Sequence, residues 1–405
     1  MRSFMRTGAA GTADSVEAPR SRRLLIGLLV VTVVLAMLLL GGGWYFAGQI
    51  RADGLALDRT SSEYALTVTA VNGGAVGLRE APGHARDETL RKNSTYGLAW
   101  PDGSGVLGPV DGTGADGSVI RSLMVKRGVP PRVGTPATLR REVFDDPVSA
   151  YRVRSQDVDI DCAGGRCPAW YLPGRTTTWA VMVHGKGATR TEPLRAVGAA
   201  LQVGMPTLVI TYRNDPGVPR DPSGFYRYGA TEWRDLDNAV TYALSHGAQH
   251  VVLFGFSMGG GIVASFLERS THAGRVTGLV LDAPMLSFRR TVDYGASQRT
   301  LPFVGGPIPG PLTWTAETIA GLRYGIDWNR IDYLDGRWLH VPTLLFHGTA
   351  DDTVPIATSD LLARAHPRLV QEVRVDGAAH VESWNASPVR YTAALAAFLD
   401  RVDHP

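Results

Sequence analysis

Gly255-Phe256-Ser257-Met258-Gly259 is the stretch on which the reading of this chain turns. Before it, His250-Val251-Val252-Leu253-Phe254 is a short apolar run bounded like a fully buried strand, and after it residues 260–268 are apolar enough for a buried helix. A serine between the two sits on a tight strand-to-helix turn. Its hydroxyl is lifted clear of the sheet and its backbone N–H lies near a helix N-terminus. Glycine on both sides suits a strained turn whose helix passes close to neighbouring strands. With 47 glycines in 405 residues, roughly 0.3 such pentapeptides arise by chance, so the surroundings must decide.

A serine nucleophile on such a turn needs an acid and then a histidine, both later in the chain and at the ends of later strands. Val341-Pro342-Thr343-Leu344-Leu345-Phe346-His347-Gly348 reads as a buried strand that stops at a turn, Thr349-Ala350-Asp351-Asp352-Thr353-Val354-Pro355. A helical stretch (356–365) and a strand (369–375) follow, and the strand runs into Asp376-Gly377-Ala378-Ala379-His380. Of the histidines after Asp351, His366 ends a helix and His404 is at the terminus. His380, in a strand-end loop, is the candidate base.

Taken together, His184-Gly185-Lys186-Gly187, the Ser257 pentapeptide, the 347–355 segment and Gly377-Ala378-Ala379-His380 resemble the α/β-hydrolase family over residues 157–402. The nearest branch is serine-peptidase-like and esterase-like, often tethered to a membrane. The resemblance implies an α/β fold with an eight-stranded, doubly wound, mostly parallel sheet and helices on both faces. It implies no particular substrate.

The roles follow from the chemistry. Ser257 is too weak a nucleophile at its own pKa and requires His380 as general base. An aspartate must hold the imidazole tautomer and stabilise the imidazolium. Two adjacent aspartates compete. The family pattern H-G-x-x-D-x-x-V-P selects Asp351, leaving Asp352 as a solvated or helix-capping neighbour, with Asp282 at the end of strand 278–281 as a third choice. The oxyanion needs two preorganised backbone donors. These are expected from Met258 and, on the turn after 181–185, from Lys186, whose ammonium is expected to be solvated. His184 is expected to brace that turn. Arg213 and Asp215, in the loop after strand 207–211, are expected to pair with one another.

Residues 24–48 carry no charge and are long enough to cross a bilayer. Arg20, Arg22 and Arg23 precede the run, with Arg2 and Arg6 further back, so positive charge stays inside and the bulk of the chain goes outside. Trp44-Tyr45-Phe46 would meet the far interface. A cleaved signal peptide is the rival reading; an uncleaved single-pass plasma-membrane anchor with a cytoplasmic N-terminus is preferred. The two cysteines, Cys162 and Cys167, flank a glycine-containing turn and read as a local disulfide in an oxidising compartment. They lack the further ligands a metal site requires.

Domain organisation follows: a tail (1–23), an anchor (24–48), a β-rich accessory region (49–150, its strands from Ser62 onward) and a catalytic domain (151–405). A small apolar cap spans about 285–340. The accessory region could orient the site, bind wall polymer or act as a spacer. Net charge is only +3 with no basic stripe, which argues against nucleic acid. Arginine outnumbers lysine about twelvefold, the bias of a GC-rich bacterial genome, which leaves the sequons at Asn93 and Asn385 without meaning. The expected activity is hydrolysis of ester, thioester or amide bonds outside the membrane, on a small-molecule, lipid or peptide acyl substrate, with no cofactor. An acyltransferase would use the same groups. An inactive hydrolase-fold scaffold remains as the other class.

Overall fold

The structure, a computed structural model, describes residues 18–57, 63–301 and 305–403. Arg2, Arg6, Ser62, residues 302–304 of the cap and His404 lie outside the described residues, as do the side chains of Arg20 and Arg23.

Helix α1 (Ala18–Gln49) contains no proline after its first turn and continues as a π-helical turn, Ile50–Leu55. The helix from Leu24 to Leu55 contains an 18-residue stretch with a mean hydropathy of 3.0 and is long and apolar enough to cross a membrane. Its large apolar side chains from Leu24 to Leu40 are exposed, whereas Gly43, Ala47, Ile50 and Leu55 are buried against the rest of the protein. The apolar segment therefore has two environments, and its last turns belong to the globular part.

Six strands follow: β1 (Leu66–Asn72), β2 (Ala75–Glu80), β3 (Tyr96–Trp100), β4 (Gly103–Thr113), β5 (Val119–Gly128) and β6 (Pro136–Arg140). They close into an antiparallel barrel in the order β1-β2-β5-β4-β3-β6. Alternation turns Leu66, Val68, Leu98, Trp100 and Leu107 into one small core. Arg121 is fully buried beside it, donating to the carbonyls of Gly108, Leu90 and Ser94.

The larger sheet comprises β7 (Gln156–Cys162), β8 (Gly165–Leu172), β9 (Thr178–Val183), β10 (Thr207–Ile210), β11 (His250–Phe256), β12 (Val276–Asp282), β13 (Thr343–Gly348) and β14 (Val370–Val375). Their order is β14-β13-β12-β11-β9-β10-β8-β7, parallel from β14 through β10, with β8 antiparallel to β10 and β7 antiparallel to β8. Strands β9, β10 and β13 are buried at every residue, because helices cover both faces. The helices of nine or more residues in this part are α2 (Leu194–Gln202), α3 (Trp233–Ser245), α4 (Met258–Arg269), α5 (Phe288–Gln298), α6 (Gly310–Tyr324), α7 (Ala357–Ala365) and α8 (Pro388–Val402). The β7–β8 hairpin carries a disulfide between Cys162 and Cys167, whose Cα atoms are 5.8 Å apart.

The barrel is not a detached spacer. Asn385 is fully buried, and its Nδ2 donates to the carbonyls of Thr95 (2.8 Å) and Arg141 (2.9 Å). The Tyr96 hydroxyl donates to Glu382 at 3.0 Å. These bonds seat the barrel on the segment that follows His380.

Candidate active site

Ser257 occupies the turn between β11 and α4 with φ 50° and ψ −117°, a conformation that side-chain-bearing residues rarely adopt. Hydrogen bonds on both sides hold it there. Its N–H donates to the Asp282 carbonyl (3.0 Å), and its carbonyl accepts from the N–H groups of Gly260 and Met285 (2.9 Å each). A Cβ at position 259 would stand 2.3 Å from the Val183 carbonyl oxygen, so only glycine lets α4 start this close to β9.

The loop after β14 brings His380 Nε2 to 2.8 Å from Ser257 Oγ, and His380 Nδ1 to 2.8 Å from Asp351 Oδ2. With Asp351 ionised, Nδ1–H donates to the carboxylate and Nε2 is left to accept the serine proton. The other oxygen, Oδ1, accepts from the N–H groups of Thr353 (2.9 Å) and Val354 (2.8 Å). Burial opposes the charge on Asp351. Hydrogen bonds from His347 and His380 and from the Val354 N–H outweigh it and hold its pKa well below the ordinary carboxylate range. The His380 loop is itself held: Arg195 donates to the Val381 carbonyl (2.8 Å) and Arg141 to the His380 carbonyl (2.9 Å).

The neighbouring carboxylates are placed otherwise. Asp352 is exposed and accepts only from the Thr353 hydroxyl among its side-chain contacts, at 3.2 Å. The expected helix-cap role is not its own: Asp351 bonds the turn N–H groups, and α7 begins without a side-chain cap. Asp282 accepts from Ser383 Oγ at 2.7 Å and burial raises its pKa to about 6.

On the opposite side of the serine, a Cβ at Gly185 would meet Ser257 Cβ at 2.9 Å. The Gly185 N–H donates to the buried Glu192 at 2.7 Å, fixing the turn that carries Lys186. Lys186 and Met258 line the same cavity as Ser257 and His380. The Lys186 ammonium is not freely solvated as expected. It donates to the Asp53 carbonyl at 2.7 Å, and burial lowers its pKa.

The expected pairing of Arg213 with Asp215 is corrected. Arg213 bonds Asp235 (Nε–Oδ2, 2.7 Å) and reaches Asp221 (3.4 Å), while Asp215 bonds His184 Nε2 at 2.7 Å. Burial disfavours the imidazolium of His184, but Asp215 beside it and the Gly185 carbonyl turn the balance and raise its pKa. All five groups, His184, Arg213, Asp215, Asp221 and Asp235, are buried, and none of them lines the cavity over Ser257, so this loop is not placed to grip a substrate there.

The cavity over Ser257 encloses about 410 Å³. Met285, Phe288, Val292 and Ala296 of the segment leading into and along α5, and Ala316 of α6, line it. Phe46 and Gln49 of α1 and Ile50 of the turn after it also line the cavity. Hydropathy ends the anchor at 48 and composition sets a separate region from 49, so these three residues are not legible as part of the site from the sequence. The available signal was Gly41-Gly42-Gly43 with Gly48 and Gly54, small residues that let a helix approach another closely, followed by the polar Gln49 and Asp53.

Residues 228–310 match the family described as serine aminopeptidase, S33, a family of hydrolases. An esterase of Pyrococcus furiosus is 17% identical, with 68% of this chain and 99% of its own covered and a TM-score of 0.51. An esterase of Thermogutta terrifontis with malate bound is 20% identical, covering 61% of this chain and 99% of its own at a TM-score of 0.43. An esterase from a Rhodococcus species is 16% identical, covering 61% and 99% at 0.41. A search of curated proteins found no match. The chain has the α/β-hydrolase fold, and the family match supports a hydrolase enzyme.

Proposed function

We propose that this chain is a serine hydrolase of ester, thioester or amide bonds, held at a membrane by α1 with its catalytic part on the outer side. The observation that carries the reading is the hydrogen-bonded series from Ser257 Oγ through His380 to Asp351, with 2.8 Å at each step, beginning at a serine on a strained turn. In the first half-reaction Ser257 Oγ attacks the acyl carbonyl as its proton passes to His380 Nε2. The oxyanion is met by the N–H groups of Met258 and Lys186. Collapse breaks the bond to the leaving group, which departs with the proton from His380. In the second half-reaction water attacks the acyl-enzyme with His380 again as base, releasing the acid and restoring Ser257. The imidazolium formed in both halves faces Asp351, whose depressed pKa keeps it ionised throughout the neutral range.

A fluorophosphonate probe tests this reading directly. It should label the wild-type chain at Ser257 and fail to label Ser257→Ala or heat-denatured protein. Absence of labelling in folded wild type would remove the hydrolase reading in favour of a scaffold.

A further inference from the structure

One wall of the cavity is foreign to the hydrolase sheet and its cap. Phe46 and Gln49 come from the last turns of α1, and Ile50, Asp53 and Gly54 from the π-helical turn after it. These turns are clamped in place. A Cβ at Gly42 would stand 2.9 Å from Leu312 Cδ1, and one at Gly43 would stand 2.6 Å from Thr315 Cγ2, so the glycines let α6 cross directly against α1. The Arg323 guanidinium stacks on Trp44 at 3.5 Å. Tyr228 donates to the Gly54 carbonyl (2.7 Å), Lys186 to the Asp53 carbonyl (2.7 Å), and Arg299 pairs with the Asp53 carboxylate (2.7 Å).

Below the clamp, from Leu24 to Leu40, α1 presents exposed apolar side chains and one polar one, Thr32, whose hydroxyl donates to the Leu28 carbonyl within the helix. From Leu24 to Gly43 is about 20 residues, or roughly 30 Å of helix, the thickness of a bilayer's hydrocarbon. With that stretch in a bilayer, the exposed Trp44 and Tyr45 fall at the interface, where such rings concentrate, and Trp314 on the adjoining α6 is exposed too. The cavity begins at Phe46, within one turn of that level.

We propose that the substrate is the acyl ester of a membrane-resident lipid, drawn from the leaflet on which the catalytic part lies into a cavity whose wall is the anchor itself. This rests on the serine-hydrolase reading and gives it a substrate class. Ile50, Met285, Phe288, Val292 and Ala316 provide an apolar lining for the acyl chain, and Ser257 lines the same cavity. It follows that the anchor stays attached, since cleavage after the apolar run would open the site.

The test uses the full chain in liposomes. A dodecyl fluorophosphonate bearing a terminal diazirine should label Ser257 and, on irradiation, crosslink to the tryptic peptide that runs from Leu24 to Arg51. Labelling of Ser257 with crosslinks only to other peptides overturns the proposal and leaves the hydrolase reading standing. No labelling at all removes that reading, and the proposal with it. In the same liposomes, monoacylglycerol, diacylglycerol or phosphatidylethanolamine should release fatty acid. Hydrolysis of p-nitrophenyl butyrate without such release overturns the lipid source. Ile50→Trp, which fills the cavity, should lower the ratio of dodecanoate to butyrate ester hydrolysis at least tenfold. An unchanged ratio in a variant that still labels counts against the proposal.

Discussion

Ser257, His380 and Asp351 meet from three separate loops, the first and last of them 123 residues apart, and each is positioned by different means: backbone strain, a braced loop and a carboxylate shared between turn and imidazole. Ser257→Ala should reduce ester hydrolysis by about 10⁴-fold or more with folding intact, and a Ser257→Ala/His380→Ala double variant should lose little more, because the groups act as a unit. Asp351→Asn should lower kcat by orders of magnitude, since an amide facing Nδ1 favours the wrong tautomer. Asp352→Asn should change kcat less than tenfold. A profile with these two losses exchanged would move the acid to Asp352. Asp351 also carries a stability consequence. Its folded pKa lies below that of the unfolded chain, so its contribution is complete above about pH 4 and is lost as pH falls further, and Asp351→Asn should flatten that acid limb of a Tm–pH series.

At the scale of elements, the barrel and the cap each reach into the site. Arg141, just after β6, donates to the carbonyl of His380 at 2.9 Å. Arg141→Ala should therefore lower kcat by about 10- to 100-fold through misplacement of the imidazole, with KM changed less than about twofold. Unchanged steady-state constants would reduce the barrel to a spacer. In the cap, Glu317 of α6 is buried against Arg289 of α5 at 2.7 Å. Burial and the nearby Asp293 raise its pKa to about 7 against Arg289. The folded state thus retains a proton that the unfolded chain releases above about pH 4.5, and stability falls as pH rises from there to about 7. Glu317→Gln removes that slope. Its stability relative to wild type should improve between pH 5 and pH 8 by up to about 3 kcal/mol, read from denaturant midpoints at the two pH values. An identical difference at both would show that Glu317 does not titrate in this window.

On the scale of the molecule, α1 and the hydrolase unit line one cavity while Arg141, just after the barrel, holds the His380 loop beside it, so under the proposed anchoring the orientation of the chain decides which compartment supplies the substrate. The arginines before the apolar run and the cysteines after it support a catalytic part outside the cytoplasm. Cys162 and Cys167 should resist alkylation in freshly lysed cells until a reductant is added. Ready alkylation of both without reductant would place the domain in a reducing compartment.

What could be determined from the linear chain was whatever local pattern encodes. An elbow, an acid turn and a histidine loop are each a few consecutive residues with turn chemistry at fixed offsets, and their order supplied the triad candidates and the fold class. The apolar run and the paired cysteines were legible for the same reason. Charge partners across loops were not: Arg213 met Asp235 instead of Asp215, because a buried ion pair is chosen by which backbones the sheet brings together. Nor could sequence show that Asp351 bonds the turn N–H groups as well as the imidazole, which depends on the direction each side chain leaves the turn. The largest difference lies at residues 46–54, where hydropathy reads an anchor's end and the tertiary structure makes a wall of the cavity that Ser257 lines. Hydropathy measures what a segment avoids. What it packs against depends on chain folded from more than a hundred residues away, and only the assembled structure decides that.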